Sequence, residues 1–344
     1  MAVHRKSKKE STLSITCTTK TVITRKKGGA KEAQAALGKA ERKTLRQNKG
    51  SLKDQQVCNV VRNRYKVAVQ LMLSYWALFG NGPSVDISWD EATTSYIEHL
   101  YAEGDPLSLA CDSLAGLQFL NTRTVGQLRH SWKLTGVWRK VEPPKRVLPL
   151  LPLMVLGMAG AAARLNMLDV AALILTGFNV FLRTSEMLKL RCCSIFYKGT
   201  KASLLLHETK TGKRKGIDER VTITSELAVR ALKLATRSRK RGDLVCMRSA
   251  FEFRKIFKNL LGLFELSTSE YNVYSLRRGG ATAFFSQCGS LDKTLTTGRW
   301  EHATTARMYI QEATAQASEM RLTQKQLALL REAAGDCNHL EAFG

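Results

Sequence analysis

The sequence lacks cysteines paired at metal-binding spacing. Its eight cysteines lie at positions 17, 58, 111, 192, 193, 246, 288 and 337, and no Cys-x-x-Cys motif occurs among them. The N-terminus begins basic and stays polar, without the apolar stretch of a secretory signal. We therefore expect an intracellular protein in a reducing compartment, without a structural zinc site.

Long apolar runs are also missing. The longest, Val147 to Ala163, is shorter than the roughly 20 residues that a membrane helix needs, and Pro149 and Pro152 lie near its start. It predicts a buried helix, and we expect no membrane contact.

Acidic residues are scarce. There are 29 Asp and Glu against 54 Lys and Arg, a net charge of +25 over 344 residues, and the pI is near 10.0. This excess is typical of proteins that bind polyanions, which makes nucleic acid the leading partner. The hydrophobic content of 44% is enough to fill the cores of two or three domains.

The N-terminal segment carries much of this charge. The first fifty residues contain fourteen Lys or Arg and three acidic residues, a net +11, and few large apolar side chains. We predict that residues 1–53 are a disordered basic arm. The run HRKSKK at residues 4–9 is either a nuclear localisation signal or part of an arm that coats phosphates. In a eukaryotic host we expect the protein in the nucleus.

Residues 54–140 have the pattern of a small all-helical domain. Apolar residues recur at three- and four-residue steps until Gly80 and Gly82 interrupt them, and a second helix begins after the N-capping Ser88. Two more helices are predicted in LSLACDSLAGLQFL and TVGQLRHSWKLTGVW. The charged, proline-containing residues 141–146 predict a linker.

Residues 147–320 predict a second domain that is mainly α-helical with a small β-hairpin, an α+β arrangement. The hairpin is expected in SLLLHETKTGKRKGIDERVTI, where a Lys- and Gly-rich turn separates two apolar runs. Residues 321–344 predict a C-terminal helix and tail. The expected helices of this domain lie at about 150–163, 168–190, 224–238, 250–263, 276–287, 291–297 and 303–317.

Five residues in this half of the chain form a chemically coherent set. They are Arg183 in FLRTSE, Lys210 in ETKTGK, Arg277 in YSLRRGGAT, Trp300 in GRWEH and Tyr309 in ARMYI. Two guanidiniums can clamp a phosphodiester, an ammonium can protonate a leaving alkoxide, and a phenol can attack phosphorus. The set points to metal-free cleavage of a DNA strand.

Each of these residues also has an ordinary structural interpretation. Arg183 and Glu186 lie three apart on one predicted helix face, where Glu186 either orients the guanidinium for a phosphate or forms a common salt bridge. Lys210 is either a proton donor or part of a solvated basic turn, and Trp300 taken alone fits core packing. Gly279 and Gly280 permit a close approach near the helix start that carries Arg277.

Further basic residues are candidates for contacts with the DNA backbone, although a solvated helix end is the ordinary explanation for most of them. These candidates are Arg237, Arg239, Lys240, Arg241 and Arg278.

The ordered set resembles the tyrosine recombinase (phage integrase) family, whose pattern is Arg, Lys, His-x-x-Arg, His or Trp, then Tyr. TGFNVFLRTSEMLKLRCCSI resembles the first-arginine motif, ETKTGK the hairpin lysine, and YSLRRGGAT the second-arginine motif. GRWEHATTARMY resembles the stretch that ends at the nucleophile. The helical unit at 54–140 is similar to the family's core-binding domain, so the resemblance covers most of the chain.

The resemblance implies a mechanism. Arg183 and Arg277 bind the scissile phosphate, Tyr309 attacks it to form a 3′-phosphotyrosyl bond, Lys210 protonates the 5′-hydroxyl, and Trp300 hydrogen-bonds the phosphate. No metal or cofactor is needed. It also implies a site-specific recombinase or integrase from a mobile element, which acts on double-stranded DNA as a tetramer on paired sites. The C-terminal helix then packs on a neighbouring protomer, although an intramolecular helix has the same pattern.

The sequence departs from the family pattern at two places. Tyr274 stands where the family has histidine, and a phenol is a poorer proton shuttle near neutral pH than an imidazole. Tyr274 either contacts the phosphate or packs against the hairpin. Phe181 stands where relatives usually have glycine. The alternatives are therefore a DNA-binding protein with impaired catalysis, or an enzyme similar to type IB topoisomerases.

Overall fold

A computed structural model describes residues 38–47, 51–52, 55–207, 209, 218–337 and 339–340. Lys210 and the run HRKSKK at residues 4–9 lie outside the described residues. Within the segment predicted as a disordered arm, helix α1 spans Lys39–Gln47 and has no buried residue. This stretch is helical because its Lys, Arg, Leu and Glu residues favour helix and Glu41 lies in its first turn.

The N-terminal domain contains the four helices that the sequence predicts. The first ends at Gly80, which adopts the left-handed conformation with φ of 67°. The second begins at Ser88, whose hydroxyl accepts from the Glu91 amide in a capping box. Their apolar faces enclose a core that includes Met72, Trp76 and Leu114. The helices are α2 (Asn59–Phe79), α3 (Trp89–Ala102), α4 (Leu107–Leu120) and α5 (Arg129–Val141).

The last of these helices begins five residues later than the sequence pattern indicates. A 3₁₀ turn spans Thr122–Thr124, and Gly126 then takes a φ of 83°. These two features turn the chain before α5 can start.

The C-terminal domain is mainly helical and packs around one large core. Its first helix, which covers most of the apolar run at 147–163, is buried along most of its length, as predicted. The helices are α6 (Pro152–Arg164), α7 (Leu168–Asn179), α8 (Thr184–Leu188), α9 (Glu226–Thr236), α10 (Ala250–Leu263), α11 (Tyr274–Cys288), α12 (Leu291–Gly298), α13 (Ala303–Arg307), α14 (Glu312–Met320) and α15 (Gln324–Asp336).

Two predicted helices are broken in the structure. The helix expected over 168–190 ends at Asn179 and resumes at Thr184, because Phe181 lies between them with a φ of 49°. The helix expected over 303–317 is interrupted around Tyr309, whose carbonyl accepts a hydrogen bond from the Thr282 hydroxyl at 3.1 Å. Both breaks lie at the predicted site, because the Phe181 carbonyl accepts a hydrogen bond from Arg277 and the second break contains Tyr309.

A small antiparallel sheet lies between α8 and α9. Strands β1 (Ile195–Lys198), β2 (Lys201–Leu206) and β3 (Glu219–Ile223) are arranged in that order. The predicted hairpin is confirmed as β2 and β3, with Leu204 opposite Val221. The sequence analysis did not anticipate β1, which joins β2 through a tight turn at Gly199, where φ is 59°.

The C-terminal helix packs within its own chain. Helix α15 crosses α6 at Gly157 and Gly160, and its residues Leu330 and Ala333 are buried there. The intramolecular alternative therefore holds for this chain. Among the described helices, none is long and apolar enough to cross a membrane.

We expect Gly160→Ala to destabilise the domain by about 3 kcal/mol. A Cβ at this position would lie 1.8 Å from the Ala333 carbonyl oxygen, so α15 must move away from α6. Urea unfolding measures the change. Gly335→Ala is the matched control on α15, because nothing lies within 4 Å of its Cβ position. An equally stable Gly160→Ala variant would contradict this packing.

Candidate active site

The structure brings five of the predicted residues together from four separate segments. Arg183 lies in the α7–α8 connection, Tyr274 and Arg277 lie on the first turn of α11, Trp300 follows α12, and Tyr309 lies between α13 and α14. Ring and guanidinium contacts join the last three residues, and a hydroxyl contact joins the two tyrosines. Lys210 lies outside the described residues, so its role stays a prediction.

Arg277 is the buried centre of this cluster, with 1% of its surface exposed. Its guanidinium donates to the Phe181 carbonyl and, at 2.9 Å, to the Gly298 carbonyl. The guanidinium carbon lies 4.8 Å from the Trp300 ring centre and 5.3 Å from that of Tyr309. The main-chain bonds and the aromatic faces thus fix Arg277 in one position.

Burial, together with the positive charges of Arg183 and Arg299, lowers the pKa of Arg277 to about 10. The group still carries its charge near neutral pH. Three guanidiniums in one partly dry pocket repel one another, and a bound anion would relieve that repulsion.

Arg183 precedes α8 as its N-terminal cap and is not inside a helix as predicted. Its Nη1 lies 2.6 Å from Glu186 Oε1, and its backbone N–H donates to Glu186 Oε2 at 2.8 Å. The side chain is 24% exposed. Arg183 is therefore the partly accessible guanidinium of the cluster. Its ion pair with Glu186 is present in the structure, and the orienting role of Glu186 stays a prediction.

Glu186 is a buried carboxylate that is bonded through both oxygens. Burial alone would raise its pKa, but the Arg299 charge and hydrogen bonds from Arg299 and Arg183 bring the pKa below its ordinary value. Glu186 is thus ionised at neutral pH and offsets part of the positive charge around it.

Arg299 is a functional candidate that the sequence analysis missed. It follows α12 with a φ of 56°, and its guanidinium contacts Glu186 at 2.8 Å and Glu219 at 3.2 Å. Glu186 precedes it by 113 positions and Glu219 by 80. No local spacing in the sequence indicates such contacts. The sequence showed only that a charged residue lies between Gly298 and Trp300 in the motif GRWEH.

Trp300 lines the pocket with an indole whose N–H is unpartnered. Its ring stacks on Tyr309 at 4.7 Å between centroids and lies parallel to Phe181 at 6.2 Å. The indole nitrogen is buried and has no hydrogen-bond partner among the described residues. A buried donor without a partner is costly, which fits a group reserved for a ligand.

Tyr309 and Tyr274 share a hydrogen bond between their hydroxyls. Tyr274 is 36% exposed, so the bond lies at the mouth of the pocket. Burial and the neighbouring Tyr309 hydroxyl raise the pKa of Tyr274 to about 12. Tyr274 is therefore a neutral phenol near pH 7 that accepts and donates hydrogen bonds but does not act as a base.

Three residues of the second-arginine motif have packing roles. A Cβ on Gly279 would lie 2.0 Å from the Leu150 carbonyl oxygen, and one on Gly280 would lie 2.0 Å from that of Phe178. These glycines admit neighbouring backbone rather than a ligand. Arg278 is 8% exposed and donates to the Val147 carbonyl. Its burial does not support the hypothesis that it contacts DNA.

The other basic candidates lie on a separate surface. Arg237 ends α9, and the following chain carries Arg239, Lys240 and Arg241. The Arg241 carbonyl accepts from the Cys193 amide at 2.7 Å, which ties this segment to the start of the sheet. Their contact with DNA stays a prediction.

Chemically, the pocket is suited to an anion. It combines two site guanidiniums, a buried unpartnered indole N–H and a phenol whose oxygen lies at the opening. Over the described ranges, no group of three or more His, Cys, Asp or Glu residues is arranged to hold a metal ion.

Searches with protein-family models and against curated proteins gave no significant match. Solved structures do match, and several of them are integrases or recombinases bound to DNA. A lambda integrase dimer bound to a COC′ core site has a TM-score of 0.54 and 13% identity, covering 76% of this chain and 74% of that one. The Tn1549 transposon integrase with transposon right end DNA has a TM-score of 0.54 and 12% identity, with 81% and 97% covered.

XerH site-specific recombinase bound to its difH substrate is also similar, with a TM-score of 0.51, 14% identity, and 75% of this chain and 79% of that one covered. At these identities the likeness establishes the fold. The predicted fold, a mainly helical chain with a small sheet and the architecture of tyrosine recombinases, is confirmed.

Proposed function

We propose that this protein is a site-specific DNA recombinase that cuts and rejoins strands through a 3′-phosphotyrosyl intermediate. The observation that carries the proposal is the cluster of Arg277, Trp300 and Tyr309, joined by ring and guanidinium contacts, with the charge of Arg183 close enough to lower the pKa of Arg277. The first and last of these four residues are 126 positions apart (309 − 183). The fold shared with integrases and recombinases supports the same activity.

The proposed cleavage step uses the groups in the pocket. The Tyr309 oxygen attacks phosphorus, and the bond from phosphorus to the 5′ oxygen breaks. The phenolic proton leaves toward solvent through the Tyr274 hydroxyl, and Lys210 supplies a proton to the departing 5′ oxygen. The phosphodiester energy stays in the new bond, so a 5′-hydroxyl from another strand reverses the step without a metal or nucleotide cofactor.

Arg183 and Arg277 stabilise the charge that develops on the phosphate oxygens. Arg277 already donates to two carbonyls, but its Nε has no partner among the described residues and each Nη carries a second N–H. The Tyr309 ring lies over this guanidinium. We infer that bound DNA shifts the ring enough for the phosphate to reach Arg277.

Binding to duplex DNA rests on charge. The net charge of +25 and the basic residues 1–53 supply sequence-independent attraction to phosphates, and Arg237, Arg239, Lys240 and Arg241 are candidate contacts. We propose assembly as a tetramer on paired sites. The face of α15 that packs on α6 is not available to such an assembly.

A mobile-element origin and association with the host's DNA complete the proposal.

A catalytically impaired DNA-binding protein is the second candidate, and Tyr274 favours it. Its neutral hydroxyl occupies the position of the family's histidine and binds the nucleophile's hydroxyl. A type IB topoisomerase would use the same pocket but would relax supercoils without joining distinct sites.

The test is incubation of the full chain with nicked suicide duplexes from the ends of candidate elements, without added metal. A covalent complex that resists SDS, with the adduct mapped to Tyr309, supports the recombinase. Absence of any adduct on genuine sites, with DNA binding intact, supports the impaired protein. Relaxation of plasmid without strand exchange supports the topoisomerase.

We expect Tyr274→His to raise the cleavage rate by about tenfold or more. An imidazole titrates near pH 6.5 and can accept the proton of Tyr309, whereas the Tyr274 phenol has a pKa of about 12. Rates of adduct formation at pH about 7 measure the effect. Tyr274→Phe is the control, because it removes the hydroxyl and adds no base. A Tyr274→His variant slower than the wild type would assign Tyr274 to packing.

A further inference from the structure

Arg299 adopts a backbone conformation that ordinary residues avoid. It caps the C-terminus of α12 with φ of 56° and ψ of 43°, the left-handed region in which a Cβ is unfavourable. Non-glycine residues that persist there are held by their surroundings. The side chain of Arg299 provides that hold.

The guanidinium of Arg299 connects three segments of the domain. Its Nη2 lies 2.8 Å from Glu186 on α8, and its Nη1 lies 3.2 Å from Glu219 on β3. The side chain is 8% exposed and those of its partners are 4% and 12% exposed. Arg299 is thus too deeply buried to bind a DNA phosphate, and both of its Nη atoms are engaged.

The contact with Glu186 leads directly to the proposed phosphate clamp. One Glu186 oxygen accepts from Arg183 Nη1 at 2.6 Å, and the other accepts from the Arg183 amide and from Arg299. A carboxylate held from two sides in this way cannot rotate freely. The direction of the Arg183 guanidinium therefore depends on Arg299, although the two arginines do not pair with each other.

We propose that Arg299 is a positioning residue, which holds Glu186 against Arg183 and anchors it to strand β3 so that the Arg183 guanidinium faces the scissile phosphate. The catalytic consequence rests on the proposed function, whereas the structural consequence does not. Misplacement of a clamping group by about 1 Å can lower a rate about 100-fold.

The electrostatics of Glu186 provide a specific signature. The charged groups that face it are Arg183 and Arg299, with Arg277 close by. Burial raises its pKa and Arg299 is the strongest charge that lowers it. Without Arg299, we expect burial to raise the pKa of Glu186, so that Glu186 takes up a proton as pH falls and Arg183 loses its charged partner.

The first measurement is the rate of covalent adduct formation against pH for Arg299→Gln. We expect a rate about 10- to 100-fold lower near pH 7.5. We also expect a further fall toward pH about 5 that the wild type does not show, because Glu186 becomes protonated in that range. In the double variant Glu186→Gln/Arg299→Gln, this additional pH step disappears.

The second measurement is thermal unfolding without DNA, which does not depend on activity. In the wild type the folded pKa of Glu186 is below its unfolded value, so its stabilisation is complete above the unfolded pKa and constant between pH about 5 and about 7.5. In Arg299→Gln we expect burial, no longer offset by Arg299, to raise the folded pKa of Glu186 above the unfolded one, so protonation stabilises the variant as pH falls. The difference in Tm between Arg299→Gln and the wild type therefore becomes smaller as the pH falls toward about 5.

Arg164→Gln is the matched control. Arg164 also bridges two carboxylates, Glu332 at 3.2 Å and Asp336 at 2.7 Å, but it is half exposed and lies away from the pocket. We expect this variant to keep the wild-type pH profile for cleavage and a constant Tm gap.

The outcomes separate the two proposals. The proposed role of Arg299 is wrong if the Tm difference between Arg299→Gln and the wild type stays constant with pH. It is also wrong if Arg299→Gln shows the wild-type rate of cleavage at every pH. If the wild type never forms an adduct but the Tm difference between Arg299→Gln and the wild type becomes smaller toward pH about 5, the proposed recombinase function is wrong. The proposal that Arg299 holds Glu186 is then still supported. If Arg299→Gln does not fold, Arg299→Lys retains the charge and is measured in the same way. Its single ammonium cannot bridge both carboxylates, so a smaller change of the same sign is expected.

Discussion

Tyr309→Phe is expected to abolish the SDS-resistant protein–DNA adduct, lowering the rate of its formation by at least about 1000-fold. The substitution removes the oxygen that is proposed to attack phosphorus and leaves the aromatic ring in place. That ring stacks on Trp300 at 4.7 Å and covers Arg277 at 5.3 Å. The variant should therefore fold normally, and the loss reports on chemistry.

DNA binding by Tyr309→Phe should stay at the wild-type level, with the same dependence on salt. The net charge of +25 supplies most of the affinity through phosphate contacts, and the substitution changes no charge. Electrophoretic mobility shifts at several salt concentrations, with adduct assays on the same nicked duplexes, separate binding from cleavage.

An adduct that persists in Tyr309→Phe would transfer the nucleophile to another residue. The structure identifies Tyr274 as the first residue to test, since its hydroxyl bonds to that of Tyr309 at the mouth of the pocket. Its raised pKa keeps the Tyr274 hydroxyl protonated at neutral pH, which makes it a weak nucleophile. The double variant Tyr274→Phe/Tyr309→Phe would then remove the remaining adduct.

Local sequence signals account for most of the helices. Ser88 caps α3 as the sequence indicates, with Glu91 completing a capping box, and Gly80 ends α2 as expected. The third helix, Leu107–Leu120, has the predicted bounds. These features depend on residues within four positions of each other, which is the range over which helix periodicity and capping operate.

The breaks in the helices were harder to predict because tertiary contacts cause them. Phe181 takes a left-handed conformation that its side chain disfavours, and it is held by packing against Phe284 and Trp300 and by the bond from Arg277 to its carbonyl. The sequence showed only that Phe181 replaced an expected glycine. The structure retains the backbone shape of a glycine position with a large side chain, which fills the core beneath the pocket.

The site was predictable as a set of residues but not as a network. Arg183, Arg277, Trp300 and Tyr309 could be selected by chemistry and order. The link from Arg183 through Glu186 to Arg299 joins α8 to the end of α12, and no spacing in the sequence indicates it. Buried ion pairs between distant segments carry no periodic signal, so only the folded chain reveals them.

Arg277→Gln is expected to lower both activity and stability, and to lower each by more than Arg183→Gln does. Cleavage should fall by about 1000-fold or more, because a guanidinium that stabilises the transition state is lost. Unfolding free energy should fall by about 2 to 4 kcal/mol, since the Phe181 and Gly298 carbonyls lose their donor inside the domain.

Arg183→Gln is the matched comparison, with the same change in charge at a partly exposed position. Cleavage should fall by about 100- to 1000-fold, but stability by only about 1 kcal/mol, because Glu186 retains Arg299 as its partner. Urea unfolding and adduct rates on both variants test the contrast. If Arg277→Gln were as stable as Arg183→Gln, the two carbonyl bonds would not be holding the pocket together. Arg277 would then be a phosphate ligand alone, and the backbone at Phe181 and Gly298 would have to be fixed by ring packing.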